Sequence, residues 1–172
     1  MEISRQETIN KAYALATKYE FEFGNCAQCV FAAVTEALGV ENADVFRAAT
    51  GFADGIGLTG DGHCGSLSGA VMAISYVFGR RREEFSRRGK MMKALLLSRE
   101  LENRFMSEYG VCRCRELQTK FFGRFFNLME PSELEAAIKA GVLERCSSLA
   151  GQVAGMATEL VLEQQEKDAA KT

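Results

Sequence analysis

Six cysteines and a single histidine are the side chains here whose chemistry goes beyond packing and charge: Cys26, Cys29, Cys64, Cys112, Cys114, Cys146 and His63. A thiolate is a nucleophile, a soft metal ligand or half of a disulfide. A chain of 172 residues can bury a core without cross-links, so thiols in it point to metal binding or redox chemistry rather than to staples. Four thiolates suffice for a [2Fe–2S] or [4Fe–4S] cluster or for tetrahedral zinc. No compact C-x2-C-x2-C run is present, so ligands would have to converge through the fold. Cys26-Ala27-Gln28-Cys29 has the spacing of a redox dithiol, and Cys26 with Cys29 or Cys64 is the disulfide-cycling alternative. The thioredoxin version of that reading needs a βαβ pattern, which is missing. One histidine excludes a Rieske centre, which needs two. No Ser-His-Asp set accompanies it. His63 is a candidate fourth zinc ligand, a neighbour that depresses the Cys64 pKa, or a surface histidine, and Cys112 a spare ligand, a resolving thiol or a solvent-facing one.

These thiols are placed by helix starts. Seven glycines between Gly51 and Gly69 form a loop that delivers Cys64 to the first turn of a helix. Free N–H groups and the positive dipole end there favour an anion, whether thiolate or cluster. Gly62 and Gly65 flank the cysteine and let the backbone approach a bulky centre, which makes them the candidate cofactor-binding glycines. Asn25 is a natural N-cap before Cys26, Cys114 opens a short helical pattern, and Cys146 falls in the opening turn or two of the last one. Thiol pKa values are expected to fall at such ends. The run Gly55-Ile56-Gly57-Leu58-Thr59-Gly60 matches G-x-G-x-x-G, but the dinucleotide fingerprint acts only between a strand and a helix, and here a helix precedes it. No Gly-Lys-Ser/Thr follows for a P-loop.

Apolar residues at helical spacing predict helices over residues 4–19, 25–38, 41–50, 64–78, 83–108, 113–120, 131–141 and 143–165. No alternating strand pattern, repeat or linker interrupts them. The expectation is one all-α domain over residues 1–172, a bundle of about six to seven helices with the glycine loop before the Cys64 helix, fraying over about 166–172. The run FFGRFFNLM at 121–129 reads as a loop or bent helix capping the core, or as a partner-binding surface.

Charge narrows the function. Twenty-one basic and twenty-three acidic residues leave −2, so no global field recruits nucleic acid or an anionic membrane. The basic stretch at 80–93 carries seven basic and two acidic residues without interleaved stacking aromatics and reads as a solvated helix face. The N-terminal residues lack the apolar run of a signal peptide and no segment has the ~18 apolar residues of a membrane span. A cytoplasmic protein without membrane insertion is expected.

The cysteine contexts resemble the redox-active family named for its pattern C, GCAxxG, C, C, over about residues 24–160. Asn25-Cys26-Ala27-Gln28 is similar to its first cysteine, Cys64-Gly65-Ser66-Leu67-Ser68-Gly69 to the glycine motif, Cys114-Arg115-Glu116-Leu117 to the third, and Cys146 with Leu149 to the fourth. Ser66 stands where the motif has alanine, and Cys29 and Cys112 are additional. The resemblance implies that Cys26, Cys64, Cys114 and Cys146 act as a set. A related domain in split-Soret cytochromes is associated with an iron–sulfur centre, and members tend to be encoded near oxidoreductases or transporters. An iron–sulfur protein for electron transfer or redox sensing, with a redox partner protein and compatible with a homo-oligomer, is the leading expectation; the dithiol oxidoreductase and a structural zinc protein are the alternatives.

Overall fold

A computed structural model describes residues 4–171 and contains eight α-helices. Helix α1 (Arg5–Phe23) starts at a capping box, with Ser4 Oγ accepting from the Glu7 N–H at 3.2 Å and Glu7 Oε2 accepting from the Ser4 N–H at 2.7 Å. Its buried face is Ala12, Ala16 and Glu20. Helix α2 (Cys26–Leu38) starts at Asn25, whose side chain accepts from the Gln28 N–H, and stops at left-handed Gly39. Then follow α3 (Ala43–Ala48), α4 (Gly65–Phe78), α5 (Met92–Tyr109), α6 (Cys114–Phe122), α7 (Pro131–Lys139) and α8 (Val142–Ala169). Apart from one isolated bridge, the described residues contain no β-structure. No described helix is long and apolar enough to cross a membrane.

Helices α1, α2, α4 and α8 form the bundle, and small residues set how close they come. A Cβ on Gly69 would collide with the Ala27 carbonyl oxygen, and one on Gly151 with Thr17 Oγ1, so α4 lies against α2 and α8 against α1 at near-backbone contact. Phe31, Val34, Ile74, Leu101, Phe105, Val153 and Val161 fill the centre and are essentially inaccessible to water. Each such side chain stabilises the fold by about 1.5–3 kcal/mol relative to exposure.

The all-α reading holds, with eight helices among the described residues, slightly more than the six to seven expected of the bundle, and each falls in one of the eight predicted helical ranges or within a few residues of it. The helix expected over 83–108 begins only at Met92; residues 82–84 and 88–91 are single 3₁₀ turns. That segment lacks an apolar face, and Arg80 and Arg82 instead stack on the Phe85 ring at 4.7 and 5.1 Å. Helix α3 is shorter than expected because Asn42 accepts from both Asp44 and Val45 N–H groups, and residues 49–52 tighten to 3₁₀. Helix α1 runs four residues beyond the expected end, to Phe23. Helix α8 continues through Ala169, with Asp168 held by Lys93 Nζ at 2.6 Å and Gln164 Nε2 at 2.8 Å. The 121–129 run caps the core as a loop after Phe122: Phe126 is buried in a small second cluster with Ala137 and Val142.

Two features of the glycine stretch were not anticipated. Residues 54–58 all have positive φ, including Asp54, Ile56 and Leu58, and their chain is closed by Gly57 N–H to Gly51 O, Gly60 N–H to Asp54 O and Gly62 N–H to Gly55 O, each 2.9 Å. The loop then pairs with the segment before α6: Cys64 N–H donates to Cys112 O at 2.8 Å, Cys114 N–H to Gly62 O at 3.0 Å and Arg115 N–H to Gly60 O at 2.8 Å, around an antiparallel His63–Arg113 bridge. Backbone pairing thus ties Cys64 to Cys114 across fifty residues of chain.

Candidate functional site

Four cysteines from four elements line one cavity of about 310 Å³. Cys26 is the first residue of α2, Cys64 the N-cap of α4, Cys114 the first residue of α6, and Cys146 lies in the second turn of α8. Cys64 and Cys114 are buried, Cys26 and Cys146 half-buried. Leu117, Phe121, Val142 and Leu149 supply apolar wall.

Gly65 touches this group directly. A Cβ there would collide with Cys26 Sγ and sit 2.9 Å from Phe52 O, so the bare backbone lets the Cys26 sulfur lie against the start of α4. Gly62 does not line the cavity; its carbonyl takes the Cys114 N–H, and a Cβ on it would press on Gly55 O at 2.9 Å. Of the two glycines, Gly65 approaches a site sulfur and Gly62 shapes the loop that presents it.

Cys29 parts from Cys26 despite the C-x-x-C spacing. Its sulfur donates to Gly24 O at 2.9 Å, and it lines a separate depression with Tyr19, Glu36 and Phe46. His63 and Cys112 are absent from the cavity wall and stand on the outer side of the loop pairing, beside Glu102 of α5.

Three polar residues that sequence reasoning did not single out as site groups complete the cavity. Asp54 Oδ1 accepts from the Cys114 thiol at 2.7 Å and from Gln118 Nε2 at 2.8 Å, while Oδ2 is buried without a partner. Gln118 also reaches the Cys114 sulfur at 3.5 Å and accepts the Phe126 N–H through Oε1 at 3.1 Å. Glu20 lies on the cavity wall, and its Oε2 likewise has no partner. Burial pushes the Glu20 carboxyl up to about 7, with the Cys29 hydrogen bond opposing and the Asp54 charge adding to it. Burial raises Asp54 too, against the pull of its Cys114 and Gln118 hydrogen bonds. At Asp54 the oxygen that faces sulfur is the acceptor, taking the proton of the Cys114 thiol.

The thiols correct an expectation. Helix starts predicted lowered pKa values, yet all four are raised. At Cys64 the backbone N–H groups of Leu67 and Ser66 do favour the thiolate, but desolvation outweighs them. At Cys26 the charges of Glu20 and Cys64 add to desolvation, and at Cys114 that of Asp54. Metal-free, these are neutral thiols; a bound cation inverts that balance and deprotonates a coordinating thiol outright.

Spacing bears on what fits. Around one tetrahedral zinc with Zn–S bonds of about 2.3 Å, sulfurs are about 3.8 Å apart. No three of the cavity sulfurs lie within 4.8 Å of one another. Four thiols, the open volume and two partnerless carboxyl oxygens are what a group bound in the cavity would meet.

The family model described as "Putative redox-active protein (C_GCAxxG_C_C)" matches residues 24–160, most of the chain. No curated protein matches the chain, and no solved structure does.

Proposed function

This chain belongs to the redox-active family with the C, GCAxxG, C, C pattern, and from that premise we propose that it holds an iron–sulfur cluster on Cys26, Cys64, Cys114 and Cys146 for electron transfer or redox sensing. The observation that supports the reading is the convergence of these four cysteines on one 310 Å³ cavity. When bound, the cluster supplies a one-electron couple.

The residues around it have separable tasks. The four thiolates ligate. Ser66 and Leu67 N–H groups face the Cys64 sulfur, and Gln118 Nε2 faces that of Cys114, so donors lower the charge each sulfur must carry. Gly65 gives the Cys26 sulfur room. Asp54 and Glu20 present carboxyls that burial holds above their ordinary range, and the apolar wall limits water, which sets the potential together with those donors. A redox partner protein in the cytoplasm supplies or takes the electron in this reading. The Cys26–Cys29 dithiol is disfavoured because the two thiols face different depressions.

Anaerobic purification with iron, zinc and acid-labile sulfide assays tests the proposal. Brown protein with iron and sulfide in similar amounts, bleached on reduction, is expected. Stoichiometric zinc without sulfide, or colourless protein with a reducible disulfide, overturns it.

A further inference from the structure

Outside the cavity, three ligand atoms of three different kinds meet at the loop pairing: the imidazole of His63, a carboxylate oxygen of Glu102 and the sulfur of Cys112, all within 4.8 Å of one another. We infer that His63, Glu102 and Cys112 form a second metal site, a surface site for zinc with three protein ligands and a fourth position open to water.

The donor set points to this ion. One thiolate, one imidazole and one carboxylate are a borderline-soft combination, and three protein ligands with an open fourth position is the arrangement of reactive rather than purely architectural zinc. The spacing is near what the ion needs. Zinc bonds of about 2.0–2.3 Å place tetrahedral ligand atoms about 3.3–3.8 Å apart. His63 Nε2 and Glu102 Oε1 already stand at 3.7 Å. Their side chains are 57% and 49% exposed, so the remaining closure is a rotamer adjustment rather than a repacking.

Two of the three ligands are held in register by backbone. The His63–Arg113 bridge and the Cys64 N–H to Cys112 O hydrogen bond fix residue 63 beside residue 112, and Glu102 projects from α5, a helix of eighteen residues. Binding would release the Cys112 thiol proton to solvent, leaving a dipositive ion on two anionic ligands and one neutral one. The site is distinct from the cavity, since none of its residues lines the cavity wall, yet it grips the same paired segments that carry Cys64 and Cys114. An ion here clasps α5 to that pairing from outside.

The inference does not rest on the iron–sulfur reading and is tested apart from it. Cobalt(II), a spectroscopic stand-in for zinc, is titrated anaerobically into the purified chain, followed by competition with zinc. One equivalent with a single-thiolate charge-transfer band is expected, retained in the Cys26→Ser/Cys146→Ser double variant. Cys112→Ser should remove the band, and His63→Gln and Glu102→Gln should each weaken binding by at least about tenfold. Both latter positions are largely exposed, and circular dichroism of each variant verifies the fold. Cobalt binding unchanged in His63→Gln and Glu102→Gln, binding lost only in the cavity double variant, or no binding at all overturns the site.

Discussion

In the bundle, α1, α2, α4 and α8 approach until Gly69 has no room for a Cβ against Ala27 and Gly151 none against Thr17; beside these contacts the chain leaves about 310 Å³ open among four sulfurs and two partnerless carboxyl oxygens. The bundle is built from residues that lower the free energy of folding by being buried. The cavity gathers groups that raise it: desolvated acids and non-glycine residues at positive φ such as Asp54 and Leu58. A hollow of that kind persists only because the packed helices around it over-determine where the four helix starts sit. The difference teaches that stability and chemistry are carried by separate residue sets here, even though both hang on the same helices.

Crossed substitutions put that separation at greatest risk. Leu101→Ala, at an inaccessible position of α5, should cost about 2–5 kcal/mol and lower the melting temperature by roughly 2–4 °C per kcal/mol. The visible spectrum per bound iron should not move. Cys64→Ser should do the converse: all visible absorption and iron lost from anaerobically prepared protein, with the metal-free forms of wild type and variant differing by only about 1 kcal/mol in thermal melts. A Leu101→Ala protein with an altered spectrum, or a metal-free Cys64→Ser protein that melts as low as Leu101→Ala, would erase the distinction between the two regions.

The bundle was the more legible region, for a physical reason. Its helices follow from local signals, such as the Ser4 capping box, the Asn25 cap and apolar residues every third or fourth position. The helix starts under Cys26, Cys64 and Cys114 were readable in the same way. Their meeting was not, because it depends on the 60–64 and 112–115 pairing, too short to leave an alternating pattern. Asp54 leaves no local sign of its role because its partners, Cys114 and Gln118, lie 60 and 64 residues away. Glu20 did leave a signal: it continues the buried Ala12–Ala16 row at the next step of four. A carboxyl on an alanine face asks for an explanation that the cavity provides. The late start of α5 was also hidden, since a charged helix face and a charged turn share composition and differ only in apolar period.

Glu20 sharpens the comparison through pH. Its folded pKa of about 7 stands above the ordinary 4.5, with burial as the main cause. A carboxyl raised on folding contributes stability that is fully present below about 4.5 and is lost as pH rises through 7. Metal-free protein should therefore lose up to about 3 kcal/mol of unfolding free energy between pH 5 and 8, read from denaturant melts. Glu20→Gln, uncharged throughout, should flatten most of that slope. Asp54, raised in the same direction, leaves a residue of the same sign. A Glu20→Gln slope equal to wild type would mean that the cavity acid is not held neutral by its surroundings.

The smallest effect is expected where the two regions touch. Cys29 sits one helical turn from Cys26, but its thiol is turned to the Gly24 carbonyl and the Glu20 carboxyl and it packs as a small apolar group, 4% exposed. Cys29→Ala removes one sulfur and its weak hydrogen bonds to Gly24 O and Glu20, leaving Gly24 O at the rim of a solvent-accessible depression where water can replace the donor, and the Glu20 carboxyl should titrate slightly higher. The cost should be about 1 kcal/mol or less, with iron content and visible spectrum equal to wild type. Were Cys29→Ala instead as damaging to the centre as Cys26→Ser, the two thiols would have to act together, the sulfur would have to leave Gly24 for the cavity, and a Cys26–Cys29 dithiol would replace the four-cysteine centre as the working unit of this fold.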